Sequence, residues 1–156
     1  MRTIEIADVE LAQKAWGASL IALGRVYQEG GDYRARGREL IGALYGYHVG
    51  PVLFTPTLAE HDQFRNSADG ALSYFVGGNP DFAEDHGFAL RLWTAVMFEN
   101  SGVICLSDSA LAMGNYFFTD TQGSEVKVEY SFSYFRGPDG DVLIQLHHSS
   151  LPYSSS

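Results

Sequence analysis

The first third of the chain carries apolar residues at the spacing of amphipathic helices. From Asp8, which can cap a helix, hydrophobic side chains recur every three or four positions as far as Tyr27. The stretch EGGDY at 29–33 interrupts the pattern, because its glycine pair ends a helix and Asp32 can cap the next one. The second helix carries the apolar positions Leu40, Ile41, Leu44 and Tyr45. So short a connection predicts that the two helices fold back as a hairpin.

Beyond these helices, the sequence changes to the composition and period of β-strands. The segment VLFTPT at 52–57 predicts a strand, and Pro56 places it at a sheet edge or a strand end. A short helix is predicted over 67–78, closed by a glycine pair. The next pattern predicts one strand over 86–100. One face of that strand carries Phe88, Leu90, Leu92, Val96 and Phe98.

A tight turn marks the last two strands. Residues 125–135 alternate between apolar and polar side chains, and GPDG at 137–140 supplies the turn into the return strand DVLIQLHHSS. Helices followed by a meander of strands predict an α+β fold, with two to three N-terminal helices packed on a curved, mostly antiparallel sheet. We expect the whole of 1–156 to form a single domain.

The second face of the predicted sheet is also partly apolar, although a sheet with one face in water should alternate more strictly. The strand positions that point to this second face include Trp93, Met97, Leu111, Met113, Phe117, Phe135 and Leu143. We therefore expect a homodimer that buries this face of the sheet.

Composition and charge argue against several classes of function. The chain has 10 Lys+Arg against 19 Asp+Glu, a formal net charge of −9, which disfavours nucleic acid as a partner. There is no apolar run of membrane-spanning length and no secretory signal, so we expect no membrane contact and a cytoplasmic location. The lone Cys105 excludes a multi-cysteine zinc site, and the adjacent pair His61–Asp62 lacks metal-ligand spacing. We expect no metal and no cofactor.

The order of elements resembles the nuclear transport factor 2-like superfamily, whose fold is a cone with a cavity between sheet and helices. The closing segment DGDVLIQLHHSSLP resembles the last strand of the association (hub) domain of calcium/calmodulin-dependent protein kinase II, with His147, Ser149 and Pro152 in its His-x-Ser-x-x-Pro pattern. Residues 8–153 also resemble a family of small bacterial proteins of this fold, through segments such as GPVLFTPT, ALSYFVGGN and MGNYFFTD. The resemblance implies a cone and a cavity, but no established activity.

The adjacent histidines His147 and His148 face opposite sides of a strand, so they cannot bind one metal there. Parity places His148 on the face of Val142 and Ile144, and His147 on the face of Leu143 and Ser149. If the first of these faces lines the cavity, His148 lies in the cavity and His147 faces the subunit interface; the sequence alone does not decide which face does. A cavity histidine beside tyrosines suits general-base chemistry, and the alternative is a hydrogen-bonded structural imidazole. The predicted ligand-binding residues are Tyr116, Tyr130, Tyr134 and His148.

Three functional hypotheses follow. The leading one is a small soluble dimeric protein of unestablished function, a binding module for a small, partly apolar ligand or an assembly module, because no acid/base pair stands out. The alternative is a cofactor-free acid/base enzyme, an isomerase, dehydratase or hydrolase, that uses the weak catalytic candidate His148 and the cavity tyrosines. The third is a purely structural hub with a filled cone.

Overall fold

The computed structural model describes residues 2–155, in which three α-helices lie against one five-stranded sheet. The α-helices are α1 (Ile6–Gln28), α2 (Tyr33–Leu44) and α3 (Ala68–Val76), and two short 3₁₀ helices cover Pro80–Phe82 and Phe88–Arg91. The strands are β1 (Leu53–Thr55), β2 (Ala95–Cys105), β3 (Ser109–Thr119), β4 (Glu125–Arg136) and β5 (Val142–Ser150). The sheet order is β1-β5-β4-β3-β2, and only the edge strand β1 pairs in parallel, with β5. The predicted α+β fold is confirmed.

Capping chemistry sets the helix boundaries. The carboxylate of Asp8 accepts a hydrogen bond from the backbone N–H of Glu5 at 2.9 Å, so α1 begins earlier than predicted, with Asp8 in its first turn. Asp32 caps α2 as predicted, because its side chain accepts from the N–H of Ala35 at 3.1 Å. Ser67 caps α3 in the same way. The two long helices form the expected hairpin.

The prediction of one continuous strand over 86–100 is wrong in its first half. Phe88–Arg91 forms a 3₁₀ helix, and Leu92 follows with a left-handed φ of 60° that turns the chain before β2 begins. Trp93, which was expected on the outer face, is buried, and its Nε1 donates to the carbonyl of Phe88 at 2.9 Å. Over so few residues, apolar alternation does not distinguish a strand from a tight helical turn.

The inner face of the sheet and the helices enclose an aromatic core. Its residues from β3 and β4 are Ala110, Ala112, Tyr116, Phe118, Val128, Tyr130, Phe132 and Tyr134. Trp16 of α1 packs on these strands, with its ring centroid 5.5 Å from that of Tyr116. Trp16 also meets Phe75 of α3 at 6.3 Å. The indole of α1 therefore contacts both α3 and the sheet.

A β-bulge in β5 changes which residues of that strand face inwards. Ser133 pairs with Leu146 but Tyr134 pairs with Ile144, so Gln145 is an extra residue in the ladder. One unpaired residue reverses the alternation of every side chain beyond it. Beyond Gln145, the side chains of β5 that face the core are therefore those that a regular strand without a bulge would place on the outer face.

The outer sheet face keeps much of the apolar character that the sequence predicts. Met97, Leu111 and Met113 are exposed, whereas Leu143 of the predicted set is buried. Within residues 2–155, no helix has the length and apolar character needed to cross a membrane.

Candidate functional site

A chain of hydrogen bonds runs through the core from α1 to the end of β5. The indole Nε1 of Trp16 donates to the hydroxyl of Tyr45 at 3.0 Å, and that hydroxyl lies 2.8 Å from Nδ1 of His147. Nε2 of the same imidazole lies 3.0 Å from the hydroxyl of Tyr116. Tyr116 in turn donates to the hydroxyl of Ser149 at 2.5 Å. We call this series, with Thr57 at its end, the hydrogen-bond chain.

The direction of these bonds follows from the indole, which can only donate. Tyr45 accepts that bond and gives its single hydroxyl proton to Nδ1 of His147. The network therefore assigns the imidazole proton to Nε2, which donates to the oxygen of Tyr116. Tyr116 donates to Ser149, whose hydroxyl lies 2.5 Å from that of Thr57. Each hydrogen bond of the series is then donated in the same direction, from Trp16 of α1 towards Thr57.

The hydrogen-bond chain ends at a small space between β1, α3 and the sheet, which we call the inner cavity. About 10 Å³ of it is accessible to the centre of a water-sized sphere, which is about the room that one water molecule needs. Its walls are mainly aromatic, with Phe54, Phe75 and Phe118 among them. Its polar lining consists of Thr57, Tyr74, Tyr116, His147 and Ser149.

No charged side chain of the described part of the protein lines the inner cavity. Burial, together with a smaller effect of the nearby His148, lowers the pKa of His147 to about 3, so the imidazole is neutral at physiological pH. Burial also raises the pKa values of the Tyr74 and Tyr116 hydroxyls above their ordinary value. The inner cavity is therefore a site of neutral hydrogen-bond donors and acceptors.

A buried ion pair holds the segment that connects β1 to α3 and carries Thr57. The guanidinium of Arg65 donates to both carboxylate oxygens of Asp85, at 2.7 and 2.8 Å. It also donates to the carbonyls of Asp62 and Gly70, at 2.7 and 2.8 Å. Ser73 of α3 donates to the same carboxylate at 2.6 Å. These bonds tie the segment to α3.

A second carboxylate fastens the same segment from outside. Glu84 accepts backbone N–H bonds from residues 60–62 at distances between 2.6 and 3.2 Å. These bonds, led by the one from Asp62, lower the pKa of Glu84 to about 2. The N–H of Leu58 also donates to the hydroxyl of Tyr74 at 3.3 Å. Thr57 thus lies between the pairing of β1 with β5 on one side and this fastened segment on the other.

The structure brings one of the four predicted site residues, Tyr116, to the inner cavity. Tyr134 is buried elsewhere in the core, and Tyr130 donates to the side chain of Asn100 at 2.6 Å, near α1. The orientation predicted for His148 is wrong: this residue is exposed on the outer sheet face, because the bulge at Gln145 reverses the parity.

His147, which was assigned to the subunit interface, instead lies at the centre of the hydrogen-bond chain, with 2% of its surface exposed. Sequence reasoning also missed Thr57, Tyr74 and Ser149 as site residues. One signal was present, because the His-x-Ser spacing places positions 147 and 149 on one face of a strand. Nothing local marked Thr57 or Tyr74.

Across residues 2–155, no group of three or more His, Cys, Asp or Glu side chains could hold a metal ion. Cys105 is exposed.

The fold and site define an α+β protein of three helices on one sheet, with an uncharged cavity of hydroxyl groups and one imidazole. The sequence profile of the family described as metal-independent carbonic anhydrase matches residues 7–151. The chain therefore belongs to the metal-independent carbonic anhydrase family. It is similar to a metal-independent carbonic anhydrase of Nostoc sp., with 41% identity over 155 residues, which cover 97% of this chain and 76% of the relative.

Solved structures share this fold. The crystal structure of the iota-carbonic anhydrase from a cyanobacterium, complexed with bicarbonate, has a TM-score of 0.96 and 41% identity, covering 99% of this chain and 96% of that one. A putative calcium/calmodulin-dependent protein kinase II association domain from Xanthomonas campestris has a TM-score of 0.63 and 23% identity, covering 97% and 94%. A putative dehydratase of the NTF2-like family from Streptomyces avermitilis has a TM-score of 0.57 and 16% identity, and the match covers 96% of each chain. The last two confirm the predicted nuclear transport factor 2-like fold.

Membership of this family corrects the functional prediction. The sequence was interpreted as a protein of unestablished function, a binding or assembly module, and this interpretation is wrong because the family is described as an enzyme. The resemblance to the kinase association domain holds for the fold alone. The error has a physical cause: a site of neutral hydroxyl groups contains no carboxylate pair or perturbed base of the kind that marks acid/base enzymes.

Proposed function

We propose that this protein catalyses the reversible hydration of carbon dioxide to bicarbonate, without a metal, in the inner cavity. The observation that carries the proposal is the pair of hydroxyl groups of Ser149 and Thr57, 2.5 Å apart, at the end of a directed hydrogen-bond chain. Membership of the carbonic anhydrase family supports it, and so does the 41% identity to a cyanobacterial iota-carbonic anhydrase that was crystallised with bicarbonate.

The lining of the inner cavity suits both sides of this reaction. Carbon dioxide is small and has no net dipole, so aromatic walls such as Phe75 and Phe118 accept it without loss of hydrogen bonds. Bicarbonate carries three oxygen atoms, which the hydroxyl groups of Thr57, Tyr74 and Ser149 can bind. In this structure the inner cavity has room for about one water molecule, so its lining side chains must move apart to admit CO₂ and the attacking water.

The chemistry requires a water proton to leave while the water oxygen bonds to the carbon of CO₂. A hydroxyl group can accept that proton and pass its own proton to an oxygen of CO₂ in the same step. The net reaction is CO₂ plus H₂O to carbonic acid, which ionises to bicarbonate and a proton on release. No ion forms inside the apolar site, where an unpaired charge would be costly. Thr57 and Ser149 are the groups placed for this exchange.

His147 serves this mechanism as a neutral relay. With a pKa lowered to about 3, it does not take up the water proton. It accepts from Tyr45 on Nδ1 and donates to Tyr116 through Nε2, which leaves the proton of Tyr116 directed at Ser149. Fixed donors of this kind stabilise developing negative charge on oxygen without reorganisation.

The test is CO₂ hydration followed by stopped flow, with chelator present throughout. We expect the unaltered protein to be active and Ser149→Ala and Thr57→Val each to lose roughly 10²-fold in kcat. Ser124→Ala is the control, since this exposed serine lies in the turn between β3 and β4 and lines neither the inner cavity nor the groove of the outer sheet face. An inactive unaltered protein, or full activity in both cavity variants, would overturn the proposal.

We further propose that two copies associate through the outer sheet face. Met97 and Met113 are 56% and 61% exposed there, and a groove of about 430 Å³ runs past Ile104, Leu111 and Leu146. Continuous exposed apolar surface is typical of protein interfaces. A second copy brings the same patch, so each would cover the other.

Light scattering tests this association. We expect the unaltered protein to be a dimer and Met113→Lys to be a monomer. Leu11→Lys is the control, because Leu11 is equally apolar and 66% exposed but lies on α1, away from the sheet. A monomeric unaltered protein would refute the dimer.

A further inference from the structure

A second space, which we call the outer cleft, lies beside the inner cavity and has a volume of about 340 Å³. Tyr74 and Phe88 line both spaces. Their rings stack with centroids 5.5 Å apart and an interplanar angle of 16°. Each is slightly exposed, at 5% and 8% respectively. This stacked pair is therefore the partition between the inner cavity and the outer cleft.

Four charged or titratable side chains besides Tyr74 border the outer cleft: Glu84, Asp85, His86 and Arg91. Both carboxylates are engaged with the protein. Asp85 accepts two bonds from the buried Arg65, and Glu84 accepts backbone N–H bonds and lies 3.9 Å from the same guanidinium. Arg91, in contrast, has no ion-pair partner among residues 2–155.

A tryptophan holds Arg91 in place without using its N–H groups. The guanidinium carbon lies 5.4 Å from the ring centroid of Trp93, whose own Nε1 is bonded to a backbone carbonyl. A guanidinium held in this way keeps its planar set of donors free, and that set matches two oxygen atoms of a planar anion. The positive charge of Arg91 also acts on the hydroxyl of Tyr74, where it opposes the burial that raises its pKa.

We propose that Arg91 makes the outer cleft a second binding site for a small planar oxyanion, which is bicarbonate in the proposed reaction. The proposal rests on the proposed function and adds a docking site outside the partition. A formal net charge of −9 repels anions from this protein in general, so a cation beside the cavity gives local attraction.

The partition is the point at which bicarbonate would pass between the two spaces. The bond from the N–H of Leu58 to the hydroxyl of Tyr74 is long, at 3.3 Å, and Phe88 lies in a short 3₁₀ helix. A turn of the Tyr74 ring would join the two spaces, because Tyr74 lines both of them.

Residue-resolved binding tests this inference. Bicarbonate is titrated at constant ionic strength into ¹⁵N-labelled protein, with chloride as the balancing anion, and backbone amide shifts are followed by NMR. We expect one group of shifts at Gly87 and Arg91 in the outer cleft and another at Ser149 in the inner cavity. In Arg91→Gln, the affinity reported by Gly87 should fall roughly fivefold, as expected for loss of one solvent-screened charge contact.

Two further variants complete the design. Arg36→Gln removes the same charge from the exposed face of α2 and should leave both groups of shifts intact, whereas Arg91→Lys should keep most of the binding at Gly87. The inference is overturned if Gly87 does not respond to bicarbonate, or if it responds equally in Arg91→Gln. Absence of CO₂ hydration in the unaltered protein would instead overturn the proposed function.

Discussion

The hydroxyl of Tyr45 and Nδ1 of His147 lie 2.8 Å apart in the middle of the core, and their bond determines which imidazole nitrogen carries the proton. Because Tyr45 already accepts from the indole of Trp16, its own proton goes to Nδ1 and the imidazole proton is on Nε2. A residue that never touches the inner cavity thereby orients the hydroxyl groups that line it.

Tyr45→Phe removes the acceptor for Trp16 and the donor for Nδ1 together. We expect the free energy of unfolding to fall by about 1–3 kcal/mol, since buried polar groups lose their partners. We expect CO₂ hydration to fall roughly tenfold, because the tautomer is no longer fixed. Denaturant titration and stopped flow measure the two effects. Tyr27→Phe, at a 43% exposed position of α1, is the control, and unchanged activity in Tyr45→Phe would refute the role of the hydrogen-bond chain.

The pH dependence of activity should be flat. His147 is neutral above its pKa of about 3, and the pKa values of Tyr74 and Tyr116 are raised by burial. No polar group of the inner cavity therefore changes protonation between about pH 5 and pH 9, and kcat/KM for CO₂ should be constant there. A metal-bound water would instead ionise near pH 7. A sigmoidal profile with a midpoint near neutrality would contradict this mechanism.

Stability, unlike activity, should depend on pH through His147. The pKa of this imidazole is about 3 in the folded protein against 6.5 ordinarily, so between these values the unfolded chain binds a proton that the folded one does not. The free energy of unfolding should therefore be highest above pH 6.5 and fall as the pH decreases towards 3. Urea unfolding at several pH values measures this.

The substitution His147→Gln should remove the fall in the free energy of unfolding between pH 6.5 and pH 3. Glu84→Gln should instead change the free energy of unfolding at lower pH. The pKa of Glu84 is lowered from 4.5 to about 2, so its contribution is complete above 4.5 and lost as the pH falls through 2. If the free energy of unfolding changed with pH equally in His147→Gln and in the unaltered protein, His147 would not be the cause of the pH dependence.

The Arg65–Asp85 pair should stabilise both the fold and the site. Asp85→Asn and Arg65→Met each leave one buried group without its charged partner, and each should cost about 3–5 kcal/mol. Loss of hydration activity should exceed the loss of folded protein, because the segment that carries Thr57 is released. The control is Arg2→Ala, which breaks an exposed pair with Asp8 and should cost less than about 1 kcal/mol.

A second β-bulge lies between Asn100 and Gly102 of β2, and two glycines beside it give a matched pair of substitutions. A Cβ at Gly114 would lie 2.1 Å from the carbonyl oxygen of Glu99 and 2.8 Å from the hydroxyl of Tyr130, whereas a Cβ at Gly102 would have no atom within 4 Å. Gly114→Ala should lower the free energy of unfolding by about 1–3 kcal/mol or more, because backbone must move. Gly102→Ala should change it little. Thermal melts that rank the two variants in reverse would contradict the packing described.

Much of the fold could be predicted because its signals are local. Asp32 and the glycines before it mark a helix boundary through hydrogen bonds to nearby backbone, and the GPDG turn works within four residues. Regular alternation in 125–135 gave the correct inner face of β4, with Tyr130 and Tyr134 buried. These predictions need no information on what lies across the sheet.

The candidate site was largely missed because its residues come from separate elements. Thr57 follows β1, Tyr74 is in α3 and Ser149 is in β5, so only their packing makes one cavity. All the groups are neutral, which leaves no charge pattern in the sequence.

The sequence by itself determined the order of the elements, the α+β class and the opposite facing of His147 and His148, because strand geometry separates neighbouring side chains. Only the tertiary structure decided which histidine faces the core. The bulge at Gln145 exists in the pairing of β5 with β4, and one unpaired residue there exchanges the two faces of the strand beyond it. His147 therefore enters the hydrogen-bond chain, and His148 lies on the outer sheet face.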